Sequence, residues 1–150
     1  MANFFKVLVE SEVYLKSESN NECELANLVT SLMMDAVLDV DFVVINPGGL
    51  RTEWVPGYVM EQHFYNMFPF DNKLLSFDIL GSEMLKMMEI LQGGDLGFYP
   101  TAGLRITASA NGGANHKFIN ATMYDGEEIV PDRMYRGMSI DFLLQGGDDF

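Results

Sequence analysis

Apolar positions along the chain fall into two periods. Leu25, Leu28, Val29, Leu32, Met33 and Ala36 make the i, i+3, i+4, i+7 stripe of a helix laid on a sheet. Asn20 and Asn21 are expected to cap it, with Glu22 and Glu24 in the favourable first turn and Asp39 and Asp41 closing it. A second stripe, Met84, Leu85, Met87, Met88 and Leu91, opens at Gly81-Ser82-Glu83 and stops at Gly93-Gly94. Its methionines read as adaptable core. Strand-like runs occupy 4–10, 43–45, 74–80, 103–108, 118–124 and 134–140. Residues 59–67 read as a short strand or turn entering a short helix that Pro69 ends.

Loops separate these runs at the polar stretch 16–22, at 52–57 with its Pro56-Gly57 turn, and at the Gly/Asn-rich 109–115. Asp125-Gly126 predicts a hairpin turn and Pro131-Asp132 another turn. Strands outnumber helices, and each long helix adjoins a strand. The class is α+β, with mixed β-sheets covered by helices. A length of 150 residues makes one domain, 1–150, with a real core. No repeat and no low-complexity linker divides it.

Charge narrows the partners. Twenty-two acids against nine bases give a net charge of −13, a field that repels DNA, RNA and anionic membrane. A small nucleotide held by one or two local arginines remains compatible with it. No apolar run approaches the roughly 20 residues of a bilayer span. Met1 to Glu10 lacks a basic start and a long apolar stretch, so no secretory signal is expected there, and the compartment stays open. The single cysteine, Cys23, excludes an internal disulfide and a cysteine-rich zinc site, and reads as a small semi-buried residue. Asn120-Ala121-Thr122 is a glycosylation sequon within a strand-like run.

The most informative stretch runs from Val43 to Arg51. A β-branched run, Val43-Val44-Ile45, breaks at Asn46-Pro47-Gly48-Gly49 and delivers Arg51. Pro47 fixes φ, and the two glycines permit φ > 0, so a tight loop is expected, with Asn46 at the strand end and Arg51 just beyond. Polar groups so placed commonly face a cleft; the other reading is a plain strand exit with a surface arginine. Hydrolytic constellations are absent: no Ser-His-Asp set, no Cys-His pair, no His/Asp cluster for two metals, and no Lys-Ser/Thr after Gly48-Gly49. His63 has no partner at metal-ligand spacing and reads as structural or surface, and His116 as exposed. Trp54 reads as packed over a loop.

Four segments in register carry a resemblance: Glu24-Leu25-Ala26-Asn27-Leu28, Asn46 to Arg51, Asn66-Met67-Phe68-Pro69-Phe70-Asp71-Asn72, and Ile140 to Phe150 with its Gly146-Gly147-Asp148. From about Lys6 to Phe150 the chain resembles the C-terminal, substrate-binding domain of the 5'-nucleotidase family. That resemblance implies a site for a nucleoside 5'-monophosphate or nucleoside. The base would stack between Phe70 and Phe142, Asp148 would accept ribose hydroxyls, and Asn46 and Arg51 would lie near the base and phosphate end. For each ring the other reading is core packing, and for Asp148 a turn residue.

The same resemblance places catalysis, with its two divalent metals, in an N-terminal metallophosphoesterase domain that this chain lacks. No cofactor is expected on the chain, and alone it is expected to hydrolyse nothing. It stops where relatives usually continue into a terminal helix. Three departures point to a weakened site. Pro47 stiffens the loop, the arginine usual before the first helix is missing near Asn21, and Asp149 replaces a glycine beside the ribose site. Two roles follow: a recognition domain for a catalytic partner, or a structural and interaction module of a larger assembly whose site is a relic.

Overall fold

A computed structural model describes residues 5–93, 97–109 and 117–149. In chain order the elements are β1 (Val7–Ser11), α1 (Glu24–Ala36), β2 (Phe42–Val44), a 3-10 turn (Pro47–Gly49), β3 (Gly57–Met60), α2 (Glu61–Met67), β4 (Leu74–Leu80) and α3 (Gly81–Gly93). They continue as β5 (Thr101–Ala102), β6 (Leu104–Ser109), β7 (Lys117–Met123), β8 (Met134–Ile140), α4 (Asp141–Leu144) and a second 3-10 turn (Gly147–Asp149). The α+β class with mixed sheets holds. The Ser109–Asn115 loop beyond Ser109, His116, Phe4 and Phe150 lie outside the described residues.

The central sheet has the order β4-β8-β2-β5. β2 runs parallel to β8, with Phe42 opposite Gly137 and Val43 opposite Met138. β4 runs antiparallel to β8 from Leu74–Ile140 to Leu80–Met134. Two antiparallel ribbons, β1–β3 and β6–β7, flank it. Phe42, Val43, Val44 and Ile45 are fully buried, as are Met84 and Met88 of α3 and Met138 of β8. The uninterrupted apolar run of β2 thus marks a strand covered on both faces.

Gly137 of β8 lies between Phe42 of β2 and Phe77 of β4 and leaves room for both rings. A Cβ there would lie 2.6 Å from the ring tips of both Phe42 and Phe77, which meet edge-to-face at 5.8 Å. Ser139, wholly buried, donates its hydroxyl to the Val44 carbonyl at 2.7 Å and so ties β8 to the end of β2.

Several details differ from the sequence-based expectation. The first strand begins at Val7, and its residues are mostly exposed because β1 pairs only with β3. The buried face of α1 is Leu25, Ala26, Val29 and Thr30; Leu32 is 51% exposed. Leu28 and Met33 of the predicted stripe pack half-buried against the core, so the stripe holds except at Leu32 and Ala36, where α1 extends past its partners β2 and β5. Cys23, not Asn20 or Asn21, occupies the N-cap, in extended backbone with no side-chain cap. Asn21 donates to the Glu18 carboxylate, and Cys23 is held through its thiol by the Glu18 backbone. Gly48 and Gly49 are not at positive φ. Gly49 is needed for space instead, since a Cβ there would lie 2.9 Å from Asn46 Oδ1.

Candidate ligand-binding site

The topology gathers the candidate residues at one end of the central sheet. Because β2 and β8 are parallel, Asn46 after β2 and Phe142 after β8 emerge on the same side. Because β4 is antiparallel to β8, the segment before Leu74, carrying Phe70 and Asn72, reaches that side too. Ligands in open sheets with parallel strands commonly sit outside the carboxyl ends of those strands.

Local bonds hold each segment there. The Arg51 N–H donates to the Met67 carbonyl at 3.0 Å, tying the loop after β2 to the end of α2. Lys73 and Asp141 lock reciprocally: the Asp141 N–H donates to the Lys73 carbonyl at 2.9 Å, and the Lys73 N–H donates to an Asp141 carboxylate oxygen at 3.0 Å. This pair fixes the spacing between the Phe70 loop and α4, which carries Phe142. Past α4 the chain turns back sharply, with Gly146 at φ 90° and Asp148 at φ 53°. Aspartate tolerates this left-handed region better than most residues, and Asp39, away from the cleft, adopts it as well at φ 63°. The Tyr99 hydroxyl donates to the Asp148 carbonyl at 3.4 Å.

The result is a cleft of about 350 Å³ lined by Asn46, Pro47, Gly48, Arg51, Phe70, Asn72, Phe142 and Asp148. All five sequence-chosen residues, Asn46, Arg51, Phe70, Phe142 and Asp148, lie on its wall. Phe70 is 47% and Phe142 43% exposed, so neither ring is core filling. The Arg51 guanidinium sits over the Phe70 ring, 5.2 Å from its centroid. Asn46 Oδ1 is shut off from water and has no donor among the described residues. A buried acceptor left this way carries a desolvation cost that a ligand N–H or O–H would relieve. Asn72 also lines the cleft, and its only signal in the sequence is its place two residues after Phe70 on the same loop.

The remaining candidates resolve simply. His63 Nδ1 accepts the Met60 N–H at 3.1 Å, at the start of α2, which is a structural role. Trp54 is buried, pairs with Leu15 through the backbone and packs against Phe64. Glu53 accepts the phenol of Tyr14, and this bond holds the Tyr14 pKa above its ordinary value of 10.0, helped by desolvation and the carboxylate's charge. Asn120 is exposed on β7. Among the described residues no three His, Cys, Asp or Glu side chains form a metal-binding group, and no helix is long and apolar enough to cross a membrane.

Fold and cleft together define an α+β domain whose helices cover a mixed sheet and whose half-open, aromatic-lined hollow lies at the exits of two parallel strands. The family model described as "5'-nucleotidase, C-terminal domain" matches residues 3–150, and the chain belongs to that family. It is 30% identical over 147 residues to the NAD 5'-nucleotidase of Haemophilus influenzae, covering 89% of this chain and 24% of that protein. It is 27% identical over 148 residues to the cell wall protein Lmo0130 of Listeria monocytogenes, covering 90% of this chain and 19% of that one. In structure it is similar to a 5'-nucleotidase precursor from Thermus thermophilus, with a TM-score of 0.81 at 24% identity over 96% of this chain and 31% of that one. The chain therefore spans about a fifth to a quarter of the length of these two curated relatives.

Proposed function

We propose that this domain recognises a nucleoside or nucleoside 5'-monophosphate by stacking the base between Phe70 and Phe142. Asp148 accepts the ribose hydroxyls, Asn46 meets the base or sugar through its unpaired carbonyl, and Arg51 supports the Phe70 ring and faces the 5' end. The observation that carries this reading is the meeting, in one cleft, of five side chains drawn from three segments of the chain. Two rings and a carboxylate, each on a braced segment, are a preorganised arrangement for a flat base on a hydroxylated sugar. Stacking on each ring is worth about 1–3 kcal/mol.

Hydrolysis would belong to a metallophosphoesterase domain, which supplies two divalent metals. The described residues offer no ligand set for those ions, so no chemical step is assigned to this chain. Purified chain given Mn²⁺ or Zn²⁺ and AMP is expected to release no phosphate; turnover would overturn that part. The binding part is tested by calorimetric titration with adenosine and AMP. Binding that is lost in Phe142→Ala and Phe70→Ala, with folding retained, supports it. Absence of heat at millimolar ligand sinks it.

A second reading, an interaction module in a larger assembly, is favoured by one observation. A hollow of about 650 Å³ lined by Leu8, Leu32, Met33, Phe64, Phe68 and Leu74, among others, opens beside the cleft between β1, α1 and α2. Leu8, Leu32, Phe64 and Leu74 are each more than two-fifths exposed. Surfaces of this kind mark sites of association.

A further inference from the structure

The central sheet ends on one side at β4. We infer that this edge pairs with β4 of a second copy of the chain, antiparallel about Phe77, and so joins two sheets into one. The backbone directions are the first ground. The Asp141 N–H donates to the Lys73 carbonyl and the Gly81 N–H to the Arg133 carbonyl, on the ladder that sets Phe77 opposite Gly137. The odd-numbered residues from Lys73 to Gly81 therefore turn their peptide groups towards β8. Alternation then turns those of Leu74, Ser76 and Asp78 outward. Arg136, opposite Asp78, agrees: its N–H donates to the Asp41 carboxylate and its carbonyl accepts the Asp41 N–H, on the β2 side. Among the described residues, no other segment bonds to the outward groups of Leu74, Ser76 and Asp78.

The second ground is that this edge lacks the usual protection. The β1–β3 and β6–β7 ladders each carry a register shift, an irregularity that blunts an edge. The β4–β8 ladder runs from Leu74 to Leu80 without one, and the strand holds no Pro, Gly or Lys. Leu74, Leu75 and Leu80 are exposed, and the one charge, Asp78, is matched by Arg136 of its own chain at 3.0 Å.

The third ground selects the occupant. Leu74-Leu75-Ser76-Phe77-Asp78-Ile79-Leu80 has the same pattern read from either end. Outward peptide groups must meet outward ones, so the two-fold axis passes through a residue. Through Phe77 it sets Leu75 opposite Ile79, Leu74 opposite Leu80, and Ser76 opposite Asp78, where the hydroxyl can donate to the carboxylate. Through Asp78 it would oppose two carboxylates; through Ser76 it would oppose Leu74 to Asp78. Such an interface is isologous and closes at two copies. The sheet's far edge, β5, has only two residues on which to extend it.

The test is sedimentation of the 150-residue chain over a concentration series up to millimolar, with circular dichroism to verify folding of each variant. A reversible monomer–dimer equilibrium is expected, tightening with salt because each copy carries a net charge of −13. Ser76→Asp places a second acid opposite Asp78 of the other copy and is expected to weaken the dimer several-fold. Ser76→Lys places a cation there and is expected to tighten it, whereas lysine on an edge that met any other surface would weaken association. Leu32→Ser, on the apolar hollow, is expected to leave the dimer unchanged. A chain that stays monomeric at millimolar concentration overturns the proposal. Fibres or open-ended oligomers overturn the closed pair. A dimer that ignores the charge at position 76, or that Leu32→Ser abolishes, assigns the contact to another surface and also overturns it.

Discussion

Phe142 and Gly147 touch across the turn that closes α4. A Cβ on Gly147 would lie 2.5 Å from Phe142 Cζ and 2.6 Å from the Phe142 carbonyl oxygen. The ring and the acid after it are therefore set by one turn: Gly147 leaves the space for Phe142, and Asp148 follows at once in the left-handed region. Gly147→Ala is expected to push the ring out of place. The ring can swing, but the carbonyl cannot, so the change costs about 1–3 kcal/mol in chemical denaturation, the range for overpacking. It should also weaken nucleoside binding by more than the loss of stability explains, because both sides of the cleft move.

Arg51 separates ligand effects from folding effects. Its backbone N–H anchors the loop to Met67, while its guanidinium only covers Phe70. Arg51→Gln keeps the anchor and removes the cation, so stability should fall by no more than about 1 kcal/mol, the scale of an exposed cation–π contact. Base stacking should weaken several-fold through the freed Phe70 ring. Thermal melts and titrations on the same preparation measure the two effects.

Gly137 tests the core beneath the site. Gly137→Ala must open the Phe42–Phe77 pair, and Phe42 is wholly buried with nowhere to go. A loss of about 1–3 kcal/mol in urea unfolding is expected. Ser139→Ala should cost about 1 kcal/mol or more, because it removes the donor to Val44 without opening room for water.

Tyr14 gives a pH signature. Its pKa is raised in the folded chain by Glu53, so the stability from that bond is complete below pH 10.0 and is lost as pH rises through the higher folded value. Glu53→Gln should return the Tyr14 titration towards 10.0, read by NMR of its ring resonances.

Long, strongly patterned runs were legible in the sequence. The predicted strands 74–80 and 134–140 coincide with β4 and β8, and the predicted helix at Gly81 with α3, because each follows a clear period to a clear stop. The one-turn α4 and the two-residue β5 were not, since neither is long enough to show a period. The stripe of α1 was legible at Leu25, Leu28, Val29 and Met33, which face the core, but not at Leu32 and Ala36, which are exposed because the partners of the helix, β2 and β5, are settled by tertiary packing.

The five site residues were legible only through their motifs. Nothing local says that Asn46 and Phe142 leave the sheet on the same side; that follows from the parallel pairing of β2 with β8. The Lys73–Asp141 lock, which braces the two ring-bearing segments, joins residues 68 positions apart and has no local signature.

The central claim is a base held between two phenyl rings, and NMR of the bound ligand tests it most directly. Adenosine added to the chain should show its base protons shifted upfield by ring currents, with cross-relaxation to the ring protons of both Phe70 and Phe142, and both effects should vanish in Phe142→Ala. Bound adenosine with unshifted base protons and no contact to either ring would contradict the account.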